Sequence, residues 1–111
     1  MEPRRLFDTS AVIDLVVRKG VNSIPGFVSA LTVVEYPPAL LYIEKIIYPT
    51  KDDYALAIKW QQELRRRGTP LPAVDLIIAA TAYNRSLIIV TRDRHFETLK
   101  SVQGDILMEI Y

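Results

Sequence analysis

The sequence contains no cysteine. Disulfides, thiolate nucleophiles and cysteine-ligated zinc are therefore excluded, and a reducing, cytoplasmic setting is expected. A single histidine, His95, excludes a multi-histidine zinc site within one chain. No apolar run approaches the roughly 20 residues that span a bilayer. The opening "MEPRRLFD" lacks the hydrophobic stretch of a secretory signal, so no membrane association is expected. Neither sign of charge is in surplus: 14 Lys and Arg against 13 Asp and Glu leave +1. Global charge thus gives no argument for a polyanionic partner, which would have to meet a local basic patch. Internal repeats, low-complexity segments and linkers are absent from the sequence.

What is present is a chain of 111 residues, half of them apolar. That fits a single domain over residues 1–111 with a true core. Residues 4–8 read as a short strand, and "TSAVIDLVVRKG" as a helix capped by Ser10 and ended by Gly20. "GFVSALT" begins as a buried strand or a turn into a helix. "VVEYPPALLYIEK" looks helical, with Pro37 and Pro38 close to its start. "KIIYP" reads as a strand closed by Pro49. The clearest amphipathic helix is "TKDDYALAIKWQQELRRRG", capped by Thr50 or Asp52 and stopped by Gly68. "LPAVDLIIAATAYN" is a second helix, apolar nearly all round and hence buried. "SLIIVT" is a buried strand, "RDRHFETLK" a short helix and "ILMEI" a last strand. Strands alternating with helices predict an α/β fold: a central parallel sheet of four to five strands, covered on both faces.

Four acids fall in four separate elements. Asp8 ends the first strand and Asp93 follows "IIV" by two residues, so both stand at carboxyl ends of strands, where ligands gather in open parallel sheets. Glu35 follows "SALTVV". Asp75 sits inside "LPAVDLIIAA", where a charge is costly unless paired or bound to a metal. Four converging carboxylates would repel one another and raise their pKa values. A hard divalent cation, Mg2+ or Mn2+, resolves that conflict with oxygen ligands alone. Such ions activate water and stabilise the leaving oxygen of a phosphodiester. Thr9, Ser10 and Thr91 lie beside the acids and offer hydroxyls to orient metal-bound water. Each acid also has an ordinary role open to it. Asp8 and Asp93 are placed to cap the helices that follow. Glu35 with Thr32 completes a capping-box pattern, and Asp75 suits a helix N-terminus.

"LFDTSAVIDLV", "SALTVVE", "LPAVDLIIAATA" and "LIIVTRDRHF" resemble, in order and over nearly the whole chain, the successive motifs of PIN domains, most closely the VapC-type toxins of prokaryotic toxin–antitoxin pairs. The resemblance implies a three-layer α/β/α fold and a Mg2+- or Mn2+-dependent endoribonuclease. It implies that Asp8, Glu35, Asp75 and Asp93 bind the metal, supported by Thr9 or Ser10 and by Thr91. It also implies an RNA substrate, a VapB-like antitoxin as cognate partner and a homodimer. This sequence departs from the pattern in the short stretch between Glu35 and the long helix, and in the two prolines that follow Glu35.

The remaining candidates divide between function and packing. Arg92 and Arg94 flank Asp93 and suit RNA phosphate or a partner's carboxylate. Arg65, Arg66 and Arg67 end a helix, where cations favour the dipole; RNA-backbone contact is the alternative. His95 before Phe96 reads as packing or surface, Asp14 as solvated, and Trp60 as interior or a dimer contact. "YPPALLY" reads either as core or as a homodimer face or antitoxin groove. Two other functions share the expected fold: an RNA-maturation nuclease without an antitoxin, and a PIN-like binding module with a degenerate site. A phosphoacceptor receiver would want paired acids after the first strand and a lysine after the last. A dehalogenase-like phosphatase would want an acid where Ser10 stands.

Overall fold

The computed structural model describes residues 4–111. Five strands, β1 (Arg5–Phe7), β2 (Phe27–Ser29), β3 (Lys45–Ile47), β4 (Ile88–Thr91) and β5 (Met108–Ile110), form one sheet in the order β3-β2-β1-β4-β5. Every pairing is parallel, with Leu6 beside Phe27 and Ile89, and Phe7 beside Val28 and Val90. The chain builds outward from β1 to β3, then returns to lay β4 against the other side of β1. The carboxyl ends of β1 and β4 thus meet where the winding reverses, the place at which such sheets bind ligands.

Successive strand residues face opposite layers, and two separate cores follow from that alternation. Leu6 and Ile89 join Ala57, Trp60 and Leu64 of α3 (Lys51–Arg66), Leu76 to Ala82 of α4 (Ala73–Asn84), and Phe96 and Leu99. Phe7, Val28 and Val90 join Ala11 and Val12 of α1 (Thr9–Ile13), with Ile24 and Ala39. The expected α/β/α layering is therefore present. Both long helices lie on the first of these cores. α3 opens on a capping box in which the Thr50 hydroxyl accepts from Asp53 and the Asp53 carboxylate accepts from the Thr50 N–H. It ends before Gly68, whose φ of +76° continues no helix. Its buried positions 53, 57, 60 and 64 follow helical spacing. Trp60 is interior, edge-on to Tyr83 at 5.8 Å.

Local chemistry overrides the sequence expectations in four places. The first helix is α-helical only to Ile13 and continues as a π-helix over Asp14–Arg18, ending near Gly20, which adopts φ +61°. Its cap is Asp8, not Ser10. The expected helix "VVEYPPALLYIEK" is broken. α2 (Ala30–Glu35) stops because Pro37 expels Tyr36 from helical geometry (φ −139°, ψ 77°), and a 3-10 turn over Pro37–Leu41 follows. The Thr32–Glu35 capping box is absent: Ser29 caps α2, accepting from Leu31 N–H, and Glu35 stands at the other end. Finally, Leu40 and Leu41 are exposed, so the core reading fails for both. No helix among the described residues is long and apolar enough to cross a membrane.

Candidate active site

Asp8 is fixed by the step from β1 into α1. Its Oδ1 accepts from the Ala11 N–H at 2.9 Å and the Ser10 hydroxyl at 2.8 Å, and its Oδ2 accepts from the Thr91 hydroxyl at 2.5 Å. Capping and site placement are one and the same arrangement here, since the cap holds the carboxylate at the sheet's carboxyl edge. Asp8 is 1% exposed and makes no ion pair among the described residues. Burial pushes its pKa up against those three hydrogen bonds, and the charge of Asp93 adds to the rise.

Asp93 stands two residues beyond β4. Its N–H donates to Thr91 Oγ1 at 3.0 Å, while its carboxylate is exposed and takes neither hydrogen bond nor ion pair among the described residues. It occupies the cap position of the 3-10 helix Arg94–Ser101 without capping it. Asp75, in the first turn of α4, meets His95 Nε2 through Oδ2 at 2.9 Å. Burial raises its pKa; His95 opposes the rise, and the charges of Asp93 and Glu35 add to it. Glu35 accepts the Thr9 hydroxyl at 2.6 Å, and Thr9 Oγ1 lies 3.0 Å from Thr32 Oγ1. With the Thr9 proton given to Glu35, Thr32 is the donor of that second bond. A hydroxyl relay thus links α1 to α2.

The structure therefore brings the four acids into one field, in which Asp93 acts on both Asp8 and Asp75, and Glu35 acts on Asp75. It does not close them into a cage. Among the described residues, no three acid or histidine side chains stand together closely enough to hold an ion as placed. Asp75 is turned to His95, and Glu35 to Thr9. The donor set nevertheless fits a hard cation in its chemistry: carboxylate oxygens only, with Asp8, Glu35 and Asp93 lacking any cation as partner among the described residues. Thr91 and Ser10, 3.2 Å apart, both serve Asp8, and Ser10 Oγ also accepts the Arg92 N–H at 3.0 Å.

One expectation about a single residue needs correction and another needs an addition. Asp14 is not solvated. It is 3% exposed, accepts the Tyr111 hydroxyl at 2.9 Å, and is ringed by Arg92 at 3.6 Å, Arg18 at 3.8 Å and Lys19 at 4.0 Å. The π-turn of α1 rolls it inward, which helical spacing does not anticipate. His95 stacks on Phe96 as expected, with ring centroids 5.0 Å apart, but it is also the partner of Asp75. Arg94 pairs with Glu97 at 3.1 Å on the surface. Thr32 and Tyr111 carried no sequence signal as site neighbours, since only the fold brings them there.

The family model described as the PIN domain matches residues 38–101 of this chain. Among solved structures, the chain is similar to one from the DNA-bound VapBC of Salmonella typhimurium (21% identity, 98% of each chain covered, TM-score 0.75). It is similar to one from VapBC2 of Rickettsia felis, bound to a promoter DNA fragment (15% identity, 95% of this chain and 97% of that one, TM-score 0.70). It is also similar to one from VapBC-5 of Mycobacterium tuberculosis, a member of the VapBC family of toxin–antitoxin systems (20% identity, 98% of each chain, TM-score 0.69). No curated protein matches by sequence. At these identities the structural likeness concerns the fold, while the family match spans more than half of the residues and includes the acids at 75 and 93. This chain belongs to the PIN domain family.

Proposed function

We propose that this PIN domain is a Mg2+- or Mn2+-dependent endoribonuclease that acts as a VapC-like toxin, held in check by a VapB-like antitoxin. One observation carries the reading: a buried carboxylate, Asp8, lies at the winding reversal of the sheet with no protein cation among the described residues to pair it, in the field of the exposed carboxylate of Asp93. A site that leaves a buried anion unpaired is arranged for a cation that arrives from outside. Asp8 and Asp93 would hold it, with Asp75 and Glu35 released from His95 and Thr9 to complete the set. Such an ion supplies a water of lowered pKa and a counter-charge for phosphoryl oxygens. The chain's own part is positional. Thr91, Ser10 and the Ala11 N–H fix both oxygens of Asp8, and the exposed carboxylate of Asp93 faces incoming substrate. Arg92 and Arg94 flank the opening and are read as contacts for the RNA backbone.

A partner is supported by exposed apolar groups beside the site. Val34, Leu40 and Leu41, on α2 and the turn after it, are 78%, 60% and 81% exposed, and grouped exposure of this kind marks interaction surfaces. The relatives named above were solved as VapBC complexes, which supports an antitoxin for this chain; a homodimer in the cytoplasm belongs to the same proposed reading. The test is Mn2+-dependent cleavage of RNA by the purified protein beside Asp8→Asn. A loss of at least about 100-fold in rate is expected on removing a central ligand. Equal activity in wild type and variant would overturn the assignment.

A further inference from the structure

We propose that Asp14 and Tyr111 are positioning residues that set the place of Asp93. The inference rests on reading Asp93 as a site residue, and it concerns the turn that carries it. The carboxylate of Asp93 has no hydrogen bond of its own among the described residues, so its place is fixed through the backbone of Thr91, Arg92 and Asp93. That backbone is gripped on both sides. On one side the Arg92 N–H donates to Ser10 Oγ at 3.0 Å and the Asp93 N–H to Thr91 Oγ1 at 3.0 Å, both hydroxyls serving Asp8. On the other side Tyr111, just past β5, donates its N–H to the Thr91 carbonyl at 3.1 Å. Its hydroxyl donates to Asp14 at 2.9 Å. The Arg92 guanidinium then closes the loop, 3.6 Å from Asp14 and 5.2 Å over the Tyr111 ring.

Asp14 is thus the buried anchor of a clasp around the turn. A carboxylate sealed from water with four polar partners is costly unless each partner is held, and holding them is what fixes Arg92. Lys19 Nζ, 5.3 Å from the centroid of the Tyr111 ring, confines it further. The clasp ties three remote segments, the π-turn after α1, the turn after β4 and the end of β5, to the residue between Arg92 and Arg94.

Tyr111→Phe keeps the ring and the cation contacts but removes the hydroxyl bond; Asp14→Asn removes the anchor's charge. Amide hydrogen exchange is measured on the whole protein, with the Asp8 amide, bonded to the Val90 carbonyl, as internal reference. Exchange at the Arg92 and Asp93 amides is expected to quicken about tenfold in each variant, the effect of losing one hydrogen bond, while Asp8 stays unchanged. Mn2+-dependent RNA cleavage is measured alongside in Tyr111→Phe, which leaves the Asp14–Arg92 pair in place, with kcat expected to fall about tenfold and KM for RNA to hold within about twofold. Unchanged exchange at Arg92 and Asp93 in folded Tyr111→Phe overturns the proposal, as does quicker exchange with wild-type kcat. If the wild type cleaves no RNA, the nuclease reading falls, and the exchange comparison alone decides whether the clasp holds the turn.

Discussion

Asp53 and Asp8 are both carboxylates sealed from water, at 0% and 1% exposure, and they differ in what pairs them. Asp53 accepts from Asn84 at 2.8 Å, from Arg85 at 3.1 Å through each oxygen, from the Thr50 N–H at 2.8 Å and from Thr81 at 3.3 Å. Burial alone would raise its pKa, but the Arg85 bonds, the Thr50 N–H and Asn84 outweigh that and hold it below the usual aspartate range. This acid is structural: it joins the start of α3 to the end of α4. Asp53→Asn leaves Arg85 facing an uncharged amide. Removing one partner of a buried pair costs about 3–5 kcal/mol; with Arg85 partly in water, about 2–3 kcal/mol is expected, read as a drop in thermal midpoint of roughly 10 °C. The pH dependence has a definite sign. A lowered folded pKa stabilises the protein above the unfolded aspartate value of about 3.9 and loses that contribution as pH falls through the folded value. The difference between wild type and Asp53→Asn should therefore be full at neutral pH and shrink in acid below pH ~3.9. A difference that stays constant down to pH ~2 would contradict the role given to Asp53.

At the scale of elements, Gly26 shows how closely β1 is fitted. A Cβ there would lie 2.7 Å from the Arg5 carbonyl and 2.8 Å from the Phe7 ring. Since the nearer atom is backbone, β1 itself must shift. Gly26→Ala is expected to cost about 1–3 kcal/mol and, by moving the strand that leads into Asp8, to lower the proposed nuclease activity more than the stability loss explains; denaturation and cleavage measured on the same sample separate the two. Legibility from sequence also varied by element. The alternation of elements, both long helices, the buried strand before Asp93 and the interior Trp60 follow from composition and period, because each uses short-range chemistry: a Thr50 cap, a Gly68 stop, β-branched runs. The break at Pro37 was visible as two prolines, but its consequence, a 3-10 turn with Leu40 and Leu41 outward, depends on how the sheet receives β3. The inward roll of Asp14 was not legible. Its register follows from a π-turn whose partner, Tyr111, lies 97 residues away. The pairing of Asp75 with His95 was hidden for the same reason, since neither spacing nor polarity links α4 to the turn after β4.

Across the whole molecule, two cores clamp one sheet and leave its carboxyl edge to the acids. Leu6, Ile89 and the α3–α4 packing carry the larger core on one face, and the acids gather at the carboxyl edge. The consequence is a trade between stability and ligand binding. Asp8→Asn removes the buried charge but keeps the shape: the amide oxygen can still accept from Ala11 and Ser10, and the amide N–H can donate to Thr91 Oγ1. Without divalent ions the variant should melt at or above the wild-type temperature, the reverse of Asp53→Asn. Adding Mn2+ should then separate them in the other direction. An ion that binds only the folded wild type at about 100 times its Kd stabilises by about 2.7 kcal/mol, which for a chain of this size is a rise of roughly 10 °C in thermal midpoint. Asp8→Asn should show little of that rise. Melting curves of both proteins, with and without Mn2+, check both halves at once. A wild type that melts at the same temperature in either condition would mean that the unpaired carboxylates at the sheet edge attract no ion.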